Sequence, residues 1–410
     1  MKRLFLLSLL ALGLAWAALF AMSPNGAQRR IFLECAKCEW SDFRITRTFY
    51  DAPDPYENTH QLERALSCYP FIAFETFRWF PNTPAGGVAY ACIGACLFLI
   101  AMFAVNEAAN GADRLILAPA LALSAPFVFT LERQNSIFLA AAAVALFIGW
   151  WNSDSRTRRF AAAVALGFAA AMKISPAILG ILYLCPFGGR WRPDWRGIFW
   201  SALFALAFLI VPFYISGDGT EAIAKWIRNA SEHAASFAAN DAWGWTPIWR
   251  NLNQVNIHLP HFSCESTKVM NVVSAIICFL GAVFAAQSAS DKSTTRAPCG
   301  VSAFFAVAAL LFATPNSITY MALYLLPVAL LWLSEADGGT SRVAVACDRT
   351  ALVCWLLLLL PIQIPAEWLM DAPGMTLNFP IANMAFMMLV AIAFVRTGHL
   401  LHNRHTQKII

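Results

Sequence analysis

The sequence predicts an all-α polytopic membrane protein, and three observations carry that prediction. Hydrophobic residues fill 59% of the 410 positions and charged residues only 13%, with a mean hydropathy of +0.58. A water-soluble domain of this length lacks the polar surface to cover such a composition. Apolar windows of roughly 20 residues, the length of a span, recur from Leu4 to Val395 with polar punctuation between them. Basic residues gather in short connections that fall on one side of the membrane, as cytoplasmic loops do. A soluble domain on a single anchor is thereby excluded. The net charge of +5 reads as topology signal, and no basic tract interleaved with aromatics points to nucleic acid.

The apolar runs read as spans at about 3–22, 85–106, 115–131, 136–151, 198–216, 268–288, 300–313, 318–334, 350–364 and 380–396. The first, behind Lys2 and Arg3, is longer than the ~7 to 15 residue core of a signal peptide and is expected to be a retained helix. The run from Phe160 to Leu184 is different. As one crossing it would divide Arg156, Arg158 and Arg159 from Arg190, Arg192 and Arg196, although both clusters belong inside by the charge rule. Lys173-Ile174-Ser175-Pro176 interrupts it midway, and a proline disfavours helical geometry in the residue before it. A broken helix pair over 160–184, dipping to the outer side and returning, resolves the conflict. The result is one domain of about 12 segments over 1–410, both termini cytoplasmic. It has long outer loops at 23–84 and 217–267 and a cytoplasmic tail at 397–410. Leu62, Ala65, Leu66 and Tyr69 at helical spacing, followed by Phe71, Phe74, Phe77, Trp79 and Phe80, predict an interfacial helix in the first loop.

Five polar clusters are more than spans require, and all fall on the outer face of this topology. They are Ser41-Asp42-Phe43, Glu132-Arg133-Gln134-Asn135, Lys173-Ile174-Ser175-Pro176, Trp243-Gly244-Trp245-Thr246-Pro247 and Thr314-Pro315-Asn316-Ser317. Arg133 and Lys173 at one face suit an anionic ligand such as a lipid phosphate, and Asp42 suits a general base for a hydroxyl. Plainer roles stand beside these. Asp42 also reads as a solvated loop charge, Lys173 as a snorkelling side chain, Arg133 as a partner of Glu132, and Gln134 and Asn135 as caps of the next helix. The tryptophan-rich loop also reads as an interfacial belt, and Asn316 and Ser317 as turn residues.

Of the eleven cysteines, Cys35, Cys38, Cys68 and Cys264 lie outside apolar runs. On an oxidising face they are candidates for disulfides of unassigned connectivity. Cys35 and Cys38 have no second pair at zinc spacing, and nothing near His258 and His261 completes a site. No metal or cofactor is expected.

Several short motifs occur in a telling order. Asp42-Phe43 resembles an Asp-aromatic or Asp-aliphatic pair, Pro55-Tyr56 a Pro-Tyr, and Tyr69-Pro70 a Tyr-x-Tyr-Pro-Pro. Arg133-Gln134-Asn135 resembles a Gly-Gln-Asn opening a span, and Gly167, Lys173 and Pro176 resemble a small-residue helix ending in Lys-x-x-Pro. Thr314-Pro315-Asn316-Ser317 and Leu325-Leu326-Pro327 are similar to Ser-Pro-x-Ser and Leu-Leu-Pro. Together they resemble the polyprenyl-phosphate-mannose-dependent membrane glycosyltransferases of glycosyltransferase family 87. That family has the GT-C fold and includes phosphatidylinositol-mannoside mannosyltransferases.

The resemblance implies a polyprenyl-monophosphate sugar donor and a lipid-linked or membrane acceptor. It also implies inversion at the anomeric carbon, Asp42 as the base, and Lys173 with Arg133 on the donor phosphate. Gln134, Asn135, Tyr56, Tyr69, Trp245, Asn316, Ser317 and Tyr320 are the expected substrate contacts, and no protein partner is required. Arg133 departs from the family's usual glycine, and Tyr320 stands where many relatives carry histidine. A transporter or flippase for a lipid-linked or anionic solute is the competing expectation, and a structural subunit without catalysis is a third.

Overall fold

The computed structural model describes residues 1–22, 42–52, 54–57, 67–106, 111–185, 193–237, 243–254, 262–289, 300–314, 319–336, 341–362, 364 and 378–409. Among them there are helices and connections and no strand. Five helices are long and apolar enough to cross a bilayer: α1 (Lys2–Met22), α4 (Pro84–Val105), α9 (Trp195–Ser216), α12 (Cys264–Ala289) and α16 (Asn378–Ile409). The short elements α2 (Asp42–Tyr50) and α3 (Phe71–Arg78) come between the first two. A sixth crossing is formed if α5 (Gly111–Ala122) and α6 (Ala125–Arg133) are taken as one bent unit, with 54° between them. The bend has a local cause. Ser124 is extended, its hydroxyl donates to the Leu121 carbonyl at 2.7 Å, and Pro126 follows at the start of α6, where its missing N–H costs nothing.

Other apolar helices are shorter than a crossing requires. In α13 (Gly300–Ala313) every residue but Ala313 is buried, and in α7 (Ile137–Trp150) ten of the fourteen are, as expected of helices that are apolar all round. Fourteen residues rise about 21 Å against a hydrocarbon core of ~30 Å, so these helices form the interior of the bundle, with the longer ones around them. Length and composition therefore support five or six crossings among the described residues, fewer than the expected twelve.

The run from 160 to 184 does break where the sequence suggests. Helix α8 (Arg156–Lys173) stops at Ile174, whose φ of 51° and ψ of −52° are rare for a β-branched residue. The chain continues as a 3-10 helix, Ser175–Leu184. Helix α8 lies tight against α9, because a Cβ on Gly167 would sit 2.7 Å from the Phe204 Cβ and 2.8 Å from the Ala205 nitrogen.

The first loop docks on the bundle through aromatic residues. Phe71 and Phe74 of α3 pack with Tyr56, with Phe213 of α9 and with Trp226 of α10 (Thr220–Phe237). Lys225 of α10 binds Asp54 at 2.7 Å, Glu221 at 2.8 Å and Glu57 at 2.9 Å, tying the 54–57 turn to that helix. Residues 58–66, including part of the expected interfacial helix, lie outside the described residues; α3 itself is present with its aromatic face buried.

A second polar knot joins α14 (Leu325–Glu335), α15 (Arg342–Leu358) and α16. The fully buried Asp348 accepts from the Trp332 indole at 2.9 Å and pairs with Arg396 at 2.8 Å. Removing one partner of a buried pair leaves an uncompensated charge. Asp348→Ala is therefore expected to destabilise the protein by roughly 3–5 kcal/mol, read as a lower thermal midpoint in detergent. Asp348→Ala combined with Arg396→Met should recover part of that loss.

Candidate functional site

The site is assembled where α6 ends and α7 begins. Helix α6 stops at Arg133, and Gln134 turns the chain in the left-handed region at φ 52°. The Asn135 Oδ1 then accepts the Ile137 N–H at 2.8 Å, a capping bond to a helix start. With its carbonyl oxygen committed to that bond, the amide nitrogen of the fully buried Asn135 faces the other way and donates to Asp42 Oδ2 at 2.5 Å. The capping role and a site role are thus played by one side chain.

Asp42 opens α2, and the Arg133 guanidinium donates to its other oxygen, Oδ1, at 2.6 Å. Each carboxylate oxygen thus holds a donor, and the one from Arg133 is an ion pair as well. The start of α2 is anchored by Phe43, fully buried and packed on Phe77 and Tyr90. Gly87 of α4 leaves room beside it, because a Cβ there would collide with the Gln134 side chain. The Gln134 Oε1 and both oxygens of Glu132 are buried without a hydrogen-bond partner.

Lys173, the last residue of α8, completes the group. Its ammonium sits 4.3 Å from the centroid of the Tyr69 ring and 5.9 Å from that of Tyr320, within the range of cation–π attraction. It is also in electrostatic reach of the Asp42 carboxylate. The Tyr320 ring stacks on Phe129 at 6.3 Å, and its hydroxyl is hydrogen-bonded by Asn135. Burial, with the Asp42 charge next, pushes the Tyr69 phenol well above its ordinary value, so it is neutral and a hydrogen-bond donor.

Asp42, Arg133, Asn135, Lys173, Tyr69 and Tyr320 therefore come together, with Gln134 at the margin. Tyr56 stands behind them, its hydroxyl donating to the Tyr69 carbonyl at 3.0 Å. Trp245 opens α11 (Trp245–Gln254) and belongs to a different network. Its indole donates to Ser274 at 2.9 Å, and the neighbouring Gly244 exchanges two hydrogen bonds with Asn383. Asn316 and Ser317 lie outside the described residues, as do Cys35 and Cys38. Cys68 and Cys264 are free thiols.

Two residues near the site, Cys68 and His233, were not among the expected site residues, although Cys68 stands out in the sequence as a cysteine outside the apolar runs. Cys68 precedes the Tyr69-Pro70 motif, and its thiol is pushed up by burial and pulled back by the Lys173 charge. His233, on α10, is held below its ordinary value by burial and then by Lys173. It lies sixty residues from Lys173, and only the docking of α10 brings it near. Among the described residues no three His, Cys, Asp or Glu side chains stand together as a metal site.

A multi-pass membrane bundle thus gathers two cations, a carboxylate and an amide around its helix breaks. The profile of glycosyltransferase family 87 matches residues 69–315, more than half of the chain, and the chain belongs to that family. It is a membrane glycosyltransferase, which sets aside the transporter expectation. Tyr69, Arg133, Asn135 and Lys173 fall inside the matched residues, whereas Asp42 and Tyr320 fall outside them. No curated protein and no solved structure matches the chain.

Asn135→Ala removes the cap of α7 and one of the two donors to Asp42. A fall in stability of about 1–3 kcal/mol is expected, seen as a lower thermal midpoint. Transferase activity should drop with it, and Asn135→Ser, which keeps a capping oxygen but has no amide to give Asp42, should recover the midpoint better than the activity.

Proposed function

We propose that the protein moves a hexose from a polyprenyl monophosphate to a lipid-linked or membrane-associated acceptor on the outer face of the cell membrane.

The hexose in this reading is mannose, and both termini lie in the cytoplasm. The observation that carries the reading is the Asp42 carboxylate, held by Arg133 at 2.6 Å and Asn135 at 2.5 Å beside the Lys173 ammonium. Membership of the family supports the transfer chemistry.

In this mechanism the acceptor hydroxyl approaches Asp42, which takes its proton as general base. The acceptor oxygen forms a bond to the anomeric carbon from the face opposite the phosphate. The bond between that carbon and the phosphate oxygen breaks, its electron pair leaves with the phosphate, and the configuration inverts. Charge builds on the departing phosphate, where the Lys173 and Arg133 cations stabilise it. Tyr69, Tyr320 and Gln134 supply hydrogen-bonding groups for sugar hydroxyls. The reaction needs no metal or other cofactor, and no protein partner.

The test uses purified protein in nanodiscs with radiolabelled polyprenyl-phosphate-mannose and a panel of lipid extracts. Asp42→Asn is expected to lower product formation by about 100-fold or more, and full activity in that variant overturns the role of Asp42. For orientation, Ile174→Cys at the half-exposed turn after Lys173 should react in intact cells with a membrane-impermeant maleimide well above the unsubstituted protein. Labelling only after the cells are opened would put the turn on the cytoplasmic side.

A further inference from the structure

Beyond stabilising the leaving phosphate, Arg133 has a second task. We propose that Arg133 is a donor-responsive counter-ion of Asp42: it neutralises the carboxylate in the empty site and transfers to the donor phosphate on binding, so that the base is released only when the donor is present. The inference rests on the reading of this site as one that takes a polyprenyl-phosphate sugar.

The geometry supplies the argument. Asp42 and Arg133 are 2.6 Å apart, with side chains only 12% and 24% exposed, so their attraction is little screened by water. With Asn135 on the second oxygen, both Asp42 oxygens carry donors before any acceptor arrives. An incoming hydroxyl therefore has to share an oxygen with one of these donors until that donor moves away. Lys173, by contrast, rests against the faces of Tyr69 and Tyr320. The three ionised groups sum to one surplus positive charge.

A donor phosphodiester carries one negative charge and balances that surplus. It also competes for the forked guanidinium, which suits phosphate as well as carboxylate. When Arg133 turns to the phosphate, Asp42 Oδ1 is left open for the acceptor hydroxyl. After transfer the proton resides on Asp42, and the product monoester carries up to two negative charges facing the two cations. Charge is therefore matched before and after the step. Arg133 acts on the base as a positioning residue, and the same exchange imposes an order in which donor binding precedes activation of the acceptor.

The competition is measurable without an acceptor. Polyprenyl monophosphate is titrated onto the protein in nanodiscs of zwitterionic lipid, comparing the unsubstituted chain, Asp42→Asn, Arg133→Gly and the double variant. Removing the competing carboxylate is expected to tighten binding about tenfold, and Asp42→Ser should give the same gain. The gain should vanish in the Arg133→Gly background. A gain of equal size in that background would mean simple repulsion between Asp42 and the phosphate, and would overturn the proposal. Unchanged or weaker binding in Asp42→Asn and Asp42→Ser overturns it as well. Absence of binding to every form, the unsubstituted chain included, overturns the donor assignment and the counter-ion exchange with it.

Discussion

The Asp42 carboxylate shared between Arg133 and Asn135 is the interaction on which the site depends. It closes the first loop onto the transmembrane bundle, because Asp42 begins α2 while its two donors come from the turn between α6 and α7. A carboxylate at the edge of an apolar bundle is costly unless it is paired and hydrogen-bonded. Here the pairing removes that cost and fixes the distance between the loop and the helix breaks. The aromatic packing of Phe43, Phe77 and Tyr90 holds the same junction from the apolar side, so polar and hydrophobic constraints agree on one position for α2.

Helix breaks are the means by which the bundle presents charge. A continuous helix buries its polar backbone groups within itself and points side chains sideways, whereas a helix end frees a turn whose residues face outward. The left-handed residues Gln134 and Ile174 mark two such ends, and each stands next to a site cation. Backbone strain of this kind persists only where the surroundings enforce it. Burial of Ile137 and Phe138 after the first break, and of Pro176 and Leu179 after the second, supplies that enforcement.

The pair at the other polar knot shows what the site pair is not. Asp348 and Arg396 are joined across two helices with Trp332 completing the carboxylate's partners, and Asp348 is fully enclosed by protein. That arrangement suits a permanent clamp. The Asp42 pair has the same chemistry but lies nearer the surface, beside a second cation that has no carboxylate at ion-pair distance among the described residues.

The sequence by itself determined the solvent of this protein, its helical class and the residue types of its site. Composition dictates the bilayer, and the proline after Lys173 locates a break. Arg133, Asn135 and Lys173 stand out because ionisable and amide groups have no cause to interrupt apolar runs, and Asp42 through the resemblance of its Asp-Phe pair. Short motifs in order pointed to the family. Tertiary structure decided the pairing: Arg133 meets a carboxylate 91 residues away, a distance that no periodicity reports. It also decided which apolar runs are interior helices too short to cross, since a buried helix and a lipid-facing one have the same composition where both are apolar all round. The place of Cys68 and His233 near Lys173 was likewise invisible, because it depends on how the first loop and α10 dock. Local composition encodes burial and charge, but only packing sets which charges meet.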